Sequence, residues 1–424
     1  MKNATQIKRL LALLLSVSMI FSMLLLTGCG DKKSEDEDND EKPGVSDDGG
    51  YKNEKAEEGR ADFIDELGGV SETYTGAVSE TSYESAEDAA RAFVATEIVG
   101  NKEATVESVK SEGELSTKEV NDLKLPDDVK KGMLSVEKLE VSYSVEDLES
   151  AYANGSVVPC AAEKTNSTVI VYVIKYETNW KYYSPAPING NTITKSYYDS
   201  VFNAEKYKNC TLESESTISL NVVGTDGTET YTVVMEISAK QLIKHAGNKV
   251  YAEISTTTKM SQNGVENVTP QNIYLYLEEN GDSITCYVKT SEDGEWVSGS
   301  LNTIGFTSVD QLTPFYDQYL DYSYFTKTSF GFAIEKENAR QYLKETLAAM
   351  SSMFPTDFNQ NDLNIDMYAE YYVADGVLSG MRTDAQIDFS MVEDGVTATA
   401  EESVVGITTV TNYGTTVVES PVAN

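Results

Sequence analysis

Ile273-Tyr274-Leu275-Tyr276-Leu277-Glu278-Glu279-Asn280-Gly281-Asp282-Ser283-Ile284-Thr285-Cys286-Tyr287-Val288 decides how the second half of this chain folds. Ile273, Leu275 and Leu277 alternate with tyrosines, Ile284, Cys286 and Val288 alternate with Thr285 and Tyr287, and Asn280-Gly281 separates the two runs. Alternation with a period of two marks a strand buried on one face. Asn-Gly supplies the positive backbone φ of a tight hairpin turn. The stretch therefore reads as an antiparallel hairpin, with Cys286 as a buried apolar thiol.

The same signature recurs at Asp226-Gly227, Asn263-Gly264, Asp293-Gly294, Asp375-Gly376 and Asp394-Gly395. Between these turns lie alternating runs such as Ile218, Leu220, Val222 and Tyr231, Val233, Met235, Ile237. From about Thr211 onward the chain thus reads as an antiparallel meander. One helical insertion interrupts it. Ser308 and Gln311 form a capping box, and a second helix is expected from about Glu337 to Met353, with Ala339, Leu343, Leu347 and Met350 on one face. Strands then resume, and the chain ends in Val417-Val418 followed by Pro421. A long meander, a helical insertion and a final pair of hairpins resemble the LolA/LppX/LprG group of curved half-barrels. Tyr274 to Leu277, the Asn280-Gly281 turn, Tyr287 and Trp296 look like that group's tyrosine-rich hairpin ending in tryptophan. The resemblance spans 211–421. It implies an envelope protein that holds a lipid or other amphiphile between sheet and helices, and it brings no catalytic site with it.

Upstream, order begins at Ser85. Ser85 and Asp88 make a capping start for a helix carrying Ala86, Ala89, Ala90, Phe93 and Val94, and Ser116 and Glu119 repeat the pattern. That second helix must stop at or before Leu125, ahead of Pro126. Val136, Leu139, Val141 and Tyr143 then suggest a strand, and Val169 to Ile174 one buried on both faces, continued by Trp180, Tyr182 and Tyr183. The order resembles the SnoaL-like or cystatin-like folds. The expected class is therefore α+β in two domains: a small helix-plus-antiparallel-sheet domain at 84–205, then a curved antiparallel half-barrel with a helical insertion at 211–424.

The chain opens with Lys2, Lys8 and Arg9, an uncharged leucine-rich run from Leu10 to Leu26, and Leu26-Thr27-Gly28-Cys29. This is the pattern of a secretory signal peptide, with an uncleaved signal anchor as the alternative. Leu26 to Cys29 resembles a bacterial lipobox. The resemblance implies removal of residues 1–28, a diacylglyceryl group on Cys29, and a place at the extracytoplasmic face of the cell membrane. Residues 29–83 would follow as an acidic, disordered tether, poor in apolar periodicity apart from Phe63-Ile64 and Leu67.

A formal charge of −36 opposes contact with nucleic acid. The acidic run Asp36 to Glu41 lacks the glycine turn and closing glutamate of a calcium loop. Cys160, Cys210 and Cys286 are an odd set, and a Cys160–Cys210 disulfide stays open. His245 is the single histidine, and its neighbours Lys244 and Ala246-Gly247 place it on an exposed turn. One histidine supplies neither a usual zinc set nor, without a nucleophile elbow, a serine triad. Ser135/Lys138, Ser261/Asn263 and Lys289-Thr290-Ser291 mimic a penicillin-binding set, but Ser135 falls where a strand begins. The acids fall on turns and polar strand faces. The chain is thus expected to be no enzyme and to need no cofactor or metal. Phe315, Tyr316, Tyr319, Tyr322, Tyr324 and Phe325 crowd one segment and occupy more than one face of a helix. Core packing, a lid over a ligand cleft and a partner surface all fit. Two functions follow: a membrane-anchored carrier of an amphiphile, or an interaction module whose 84–205 domain binds another envelope protein.

Overall fold

In the computed structural model the described residues are 54–71, 73–99, 104–147, 150–153, 156–159, 163–185, 193–225, 230–262, 265–281, 283–299, 322–334, 338–339, 364–393 and 396–421. The expected signal peptide, Cys29, Cys160 and both expected insertion helices, apart from Asn338 and Ala339, lie outside them. No helix among the described residues is long and apolar enough to cross a membrane.

The capping residues start helices where the sequence places them. Ser85 caps α3 (Ala86–Phe93), accepting from the Asp88 amide at 3.0 Å. A π-helical turn, Val94–Ile98, extends it. Ser116 and Glu119 close a full capping box on α4 (Thr117–Asp122). The short α5 spans Asp127–Lys130. Two earlier helices, α1 (Glu54–Glu57) and α2 (Arg60–Glu66), occupy the stretch expected to be disordered.

A five-stranded antiparallel sheet follows the order β1-β7-β6-β3-β2. Its members are β1 (Ala77–Val78), β2 (Ala104–Glu114), β3 (Ser135–Asp147), β6 (Glu163–Lys175) and β7 (Trp180–Ser184). A ribbon of β4 (Ser150–Ala153) and β5 (Ser156–Pro159) stands apart. Trp180 to Tyr183 do not continue β6 as expected. The chain reverses at Tyr176–Asn179, and β7 returns antiparallel beside β6. Phe93, Ala89 and Ala90 of α3 pack on Leu139, Val141, Val171 and Val173.

The second sheet has eleven strands, all antiparallel, and stays open. Strands β8 (Asn209–Thr225), β9 (Thr230–Ala246), β10 (Lys249–Gln262), β11 (Val265–Asn280), β12 (Ser283–Lys289) and β13 (Val297–Ser298) form one meander. Strands β14 (Phe325–Thr328), β15 (Gly331–Ile334), β16 (Asn364–Ala374), β17 (Val377–Glu393) and β18 (Val396–Thr411) form another. Each of the six turn dipeptides falls between consecutive paired strands. The meanders join at the centre of the sheet, where β8 pairs with β18 from Thr211↔Thr411 to Thr225↔Thr397. This leaves β13 and β14 at opposite edges. Beyond Thr411 the tail is irregular, and Val418 is buried while Val417 is 71% exposed.

Alternation divides this sheet into two faces. The core face carries Ile218, Leu220, Val222, Val233, Met235, Met367, Tyr371, Met381, Ile387 and Val404. It packs under α6 (Lys195–Val201), which Thr194 caps. The outer face is polar along β8–β10 but is covered at β16 and β17 by α1 and α2. There Arg60 donates to the fully buried Glu370 at 2.5 and 3.0 Å, and the Tyr372 hydroxyl donates to it at 2.6 Å. The Phe63 ring meets Tyr372 edge-on at 5.0 Å. Onward from Ser71 the chain crosses to the small sheet, where β1 pairs with β7.

Candidate functional site: the core face of the large sheet

Register places one continuous face from β14 to β12, and its two halves differ. On β14–β18 and β8 it is sealed by aromatic side chains. Thr194, accepting from the Tyr197 amide at 3.4 Å, starts α6 so that Tyr197, Tyr198, Val201 and Phe202 turn onto the sheet. Phe325 meets Tyr371 and Phe332 edge-on at 5.2 Å, and Phe332 stacks on Tyr371 at 5.2 Å. Tyr198 lies 5.6 Å from Phe325 and 4.7 Å from Phe202. Edge and offset contacts of this kind add to the burial of the rings themselves.

Among the aromatic residues expected to form a lid, Phe315, Tyr316 and Tyr319 lie outside the described residues. Tyr322 is buried, 6.4 Å from Tyr198, and its hydroxyl donates to the Thr96 carbonyl oxygen at 3.1 Å. Tyr324 and Phe325 are buried too. The C-terminal end of the aromatic segment therefore faces the sheet as core.

On β9–β12 the same face carries a separate small cluster, Val250, Ala252, Leu275, Leu277 and Cys286. Beside it Ile237, Ile243, Ile254, Met260 and Ile273 are only half-buried. Val265, at the hairpin end of this face, is 64% exposed. The tyrosine-rich hairpin points the other way. Tyr274, Tyr276 and Tyr287 share the outer face with Tyr251 through register, and Trp296 and Tyr274 hold the Lys289 ammonium at 5.3 and 4.6 Å. The C-terminal tail reaches this outer patch, with Ser420 in hydrogen-bonding reach of Tyr276. The hairpin that most resembles the half-barrel group thus presents its leucines, not its tyrosines, to the core face.

Three carboxylates are buried where the sequence expects solvated acids. Glu370 holds the outer-face ion cluster. Glu97 accepts from the Ser196 amide and hydroxyl, both at 2.8 Å, and so joins the π-helical turn to the start of α6. Glu402 is 1% exposed on the core face, opposite Leu220 and Ile387. The period-two pattern Ala398, Ala400, Glu402, Val404 contained that signal. Thr383, on the same face, is 2% exposed, and its hydroxyl finds no partner among the described residues.

His245 is not on an exposed turn. Strand β9 runs through Ala246, the turn is Gly247-Asn248, and the imidazole is fully buried with Nδ1 2.8 Å from the Lys208 carbonyl oxygen. Its cross-strand neighbour Cys210 is a free thiol that donates to the Tyr207 carbonyl at 3.3 Å, so the Cys160–Cys210 disulfide is not formed. Burial pushes the Cys210 thiol up to about 12, which keeps it protonated and unreactive. Ser135 opens β3, as its sequence context implies. Among the described residues no group of three or more His, Cys, Asp or Glu side chains could hold a metal ion. A shallow outer-face groove of about 620 Å3 runs past Glu66, Glu213, Glu253 and Ile407, with Lys240 paired to Glu215 at 2.5 Å.

No family model matches the chain, and no curated protein matches it. Among solved structures, the chain is similar to a DUF1329 family protein from Desulfovibrio piger, at 12% identity and a TM-score of 0.18, over 53% of this chain and 94% of that one. A superposition that loose carries no argument about function.

Proposed function

We propose that this chain is a non-catalytic, lipid-anchored protein of the extracytoplasmic membrane face that carries a lipid or other amphiphile on the core face of its large sheet. The observation that carries the reading is the half-buried row Ile237, Ile243, Ile254, Met260 and Ile273, continuous by register with the sealed half. Apolar surface left partly in water gains about 25 cal/mol per Å2 when a ligand covers it. The sealing of His245 within the sheet supports a role without chemistry.

Native mass spectrometry of the purified protein, followed by titration with a fluorescent fatty acid, tests carriage. Copurifying lipid, displaced by the fatty acid and lost in Ile254→Asn/Ile273→Asn, is the expected result. A folded protein that is empty and takes up no fatty acid refutes it and leaves the face as a contact surface for another envelope protein. Cys29→Ala tests the anchor separately: the variant should leave the membrane fraction.

A further inference from the structure

We infer that residues 54–67 form a latch, which releases from the outer face of the large sheet in one cooperative step while both sheets stay folded. Helices α1 and α2 have 4 and 7 residues, far below the length at which a helix holds itself together in water. Among the side chains described in this segment only Ala56 and Phe63 are buried, with Arg60, Ile64 and Leu67 half-buried beside them. What holds it is a few side-chain grips. Lys55 pairs with Asp384, Arg60 with Glu370, and Arg382 reaches out to the Ala56 and Glu58 carbonyl oxygens at 3.0 and 2.9 Å. Phe63 and Leu67 sit on Gly380, where a Cβ would lie 3.0 and 2.9 Å from them. None of these grips belongs to the ladders of β16 and β17, so release breaks no strand pairing.

The hinge is built in. Gly68 and Gly69 take φ of +78° and +102° with open space where a Cβ would be, a backbone region that glycine enters without steric cost, and their amides bond back to the Asp65 and Ile64 carbonyl oxygens of the segment that releases. Immediately beyond, Ser71 is fixed: its amide donates to the Val373 carbonyl at 3.0 Å, and its hydroxyl accepts from the Asp375 amide at 2.9 Å. From there the chain is clamped between the sheets, with Tyr74 edge-on to Tyr197 at 5.1 Å and the Tyr183 hydroxyl donating to the Thr75 carbonyl at 2.7 Å. The flexible joint thus lies between a weakly held segment and a firmly held one.

Hydrogen exchange on the full mature chain, followed across a denaturant series, tests the latch. Amides of 54–67 should exchange through an opening that is insensitive to denaturant and far easier than that of β16 and β17. Arg60→Ala and Phe63→Ala should each speed exchange in 54–67 by about tenfold or more and leave β16 and β17 unchanged. Exchange of 54–67 only through global unfolding overturns the latch, as does an equal loss of protection in β16 and β17 in both variants. The measurement needs no membrane, so a failure of the Cys29 anchor appears as loss of vesicle binding and leaves the latch result standing.

Discussion

Glu97→Ala is the sharpest test of how the two sheets are held together. The Glu97 carboxylate is 3% exposed and takes two hydrogen bonds at 2.8 Å from Ser196, with the Tyr182 hydroxyl at 3.3 Å and the Ser184 hydroxyl at 3.5 Å. Hydrogen bonds to a charged group contribute about 1.5–3 kcal/mol each, so the two short ones account for about 3–6 kcal/mol. Removing the carboxylate also removes its desolvation cost, which offsets part of that loss. The Thr194 cap on Tyr197 remains, so α6 is weakened without being abolished. The net expectation is a loss of about 2–4 kcal/mol for Ala and about 1–2 kcal/mol for Gln, whose oxygen still accepts from the Ser196 amide. Urea unfolding measures it, with Trp180 reporting on the small sheet and Trp296 on the large one. Because Glu97 bridges the two, both signals should shift together. A change below about 0.5 kcal/mol for Ala, or equal losses for Ala and Gln, refutes the assigned role.

Gly331→Ala should cost about 3–5 kcal/mol in the same assay, because a Cβ there would stand 2.2 Å from the Tyr371 carbonyl oxygen at a φ of +144°. His245→Ala should cost about 2–4 kcal/mol through the cavity and the lost Lys208 contact, with fatty-acid titration unchanged; intact stability would contradict the burial of the ring. Alkaline pH should destabilise the fold. Cys210 and Tyr276 are both raised by burial to about 12, from ordinary values of 9.0 and 10.0. Their contribution is complete below pH 9.0 and is lost as pH rises toward 12, so the urea midpoint should fall over that window.

What the sequence made legible was local. Ser85, Ser116, Asn280-Gly281 and Asp375-Gly376 act within a few residues of themselves, and each did what its chemistry requires. Non-local pairing was not legible: nothing near Thr211 says that it meets Thr411, so the meander read as continuous and not as two halves fused at β8–β18. The latch was hidden for the same reason, since Arg60 acquires meaning only from Glu370, on a strand 310 residues away. His245 was misplaced because β9 runs one residue past it before turning. The buried Glu402 was legible from the alternation around it, but an overall acidic composition favours reading any single acid as surface.

The fusion of two meanders lets one half of the sheet hold the fold while the other keeps apolar side chains half-buried. Strands β16 and β17 pack inside against the aromatic cluster, which concentrates stability there, and carry the releasable segment of Arg60 and Phe63 outside. Strands β10 and β11 are long but thinly covered. Residues 265–272 are exposed on both faces, and β12 pairs with β11 only at Tyr274–Asn280. An uncovered edge of that kind invites unwanted strand addition. Pro270 removes one donor from it, and Glu266 adds charge. A half that was packed like β16 would need no such protection, and would have no apolar surface left to offer. The half-buried isoleucines of β9–β11 are therefore affordable only because β8 ties them to a partner that holds the fold, and a ligand that covers them should raise the exchange protection of β10 and β11 while leaving β16 as it was.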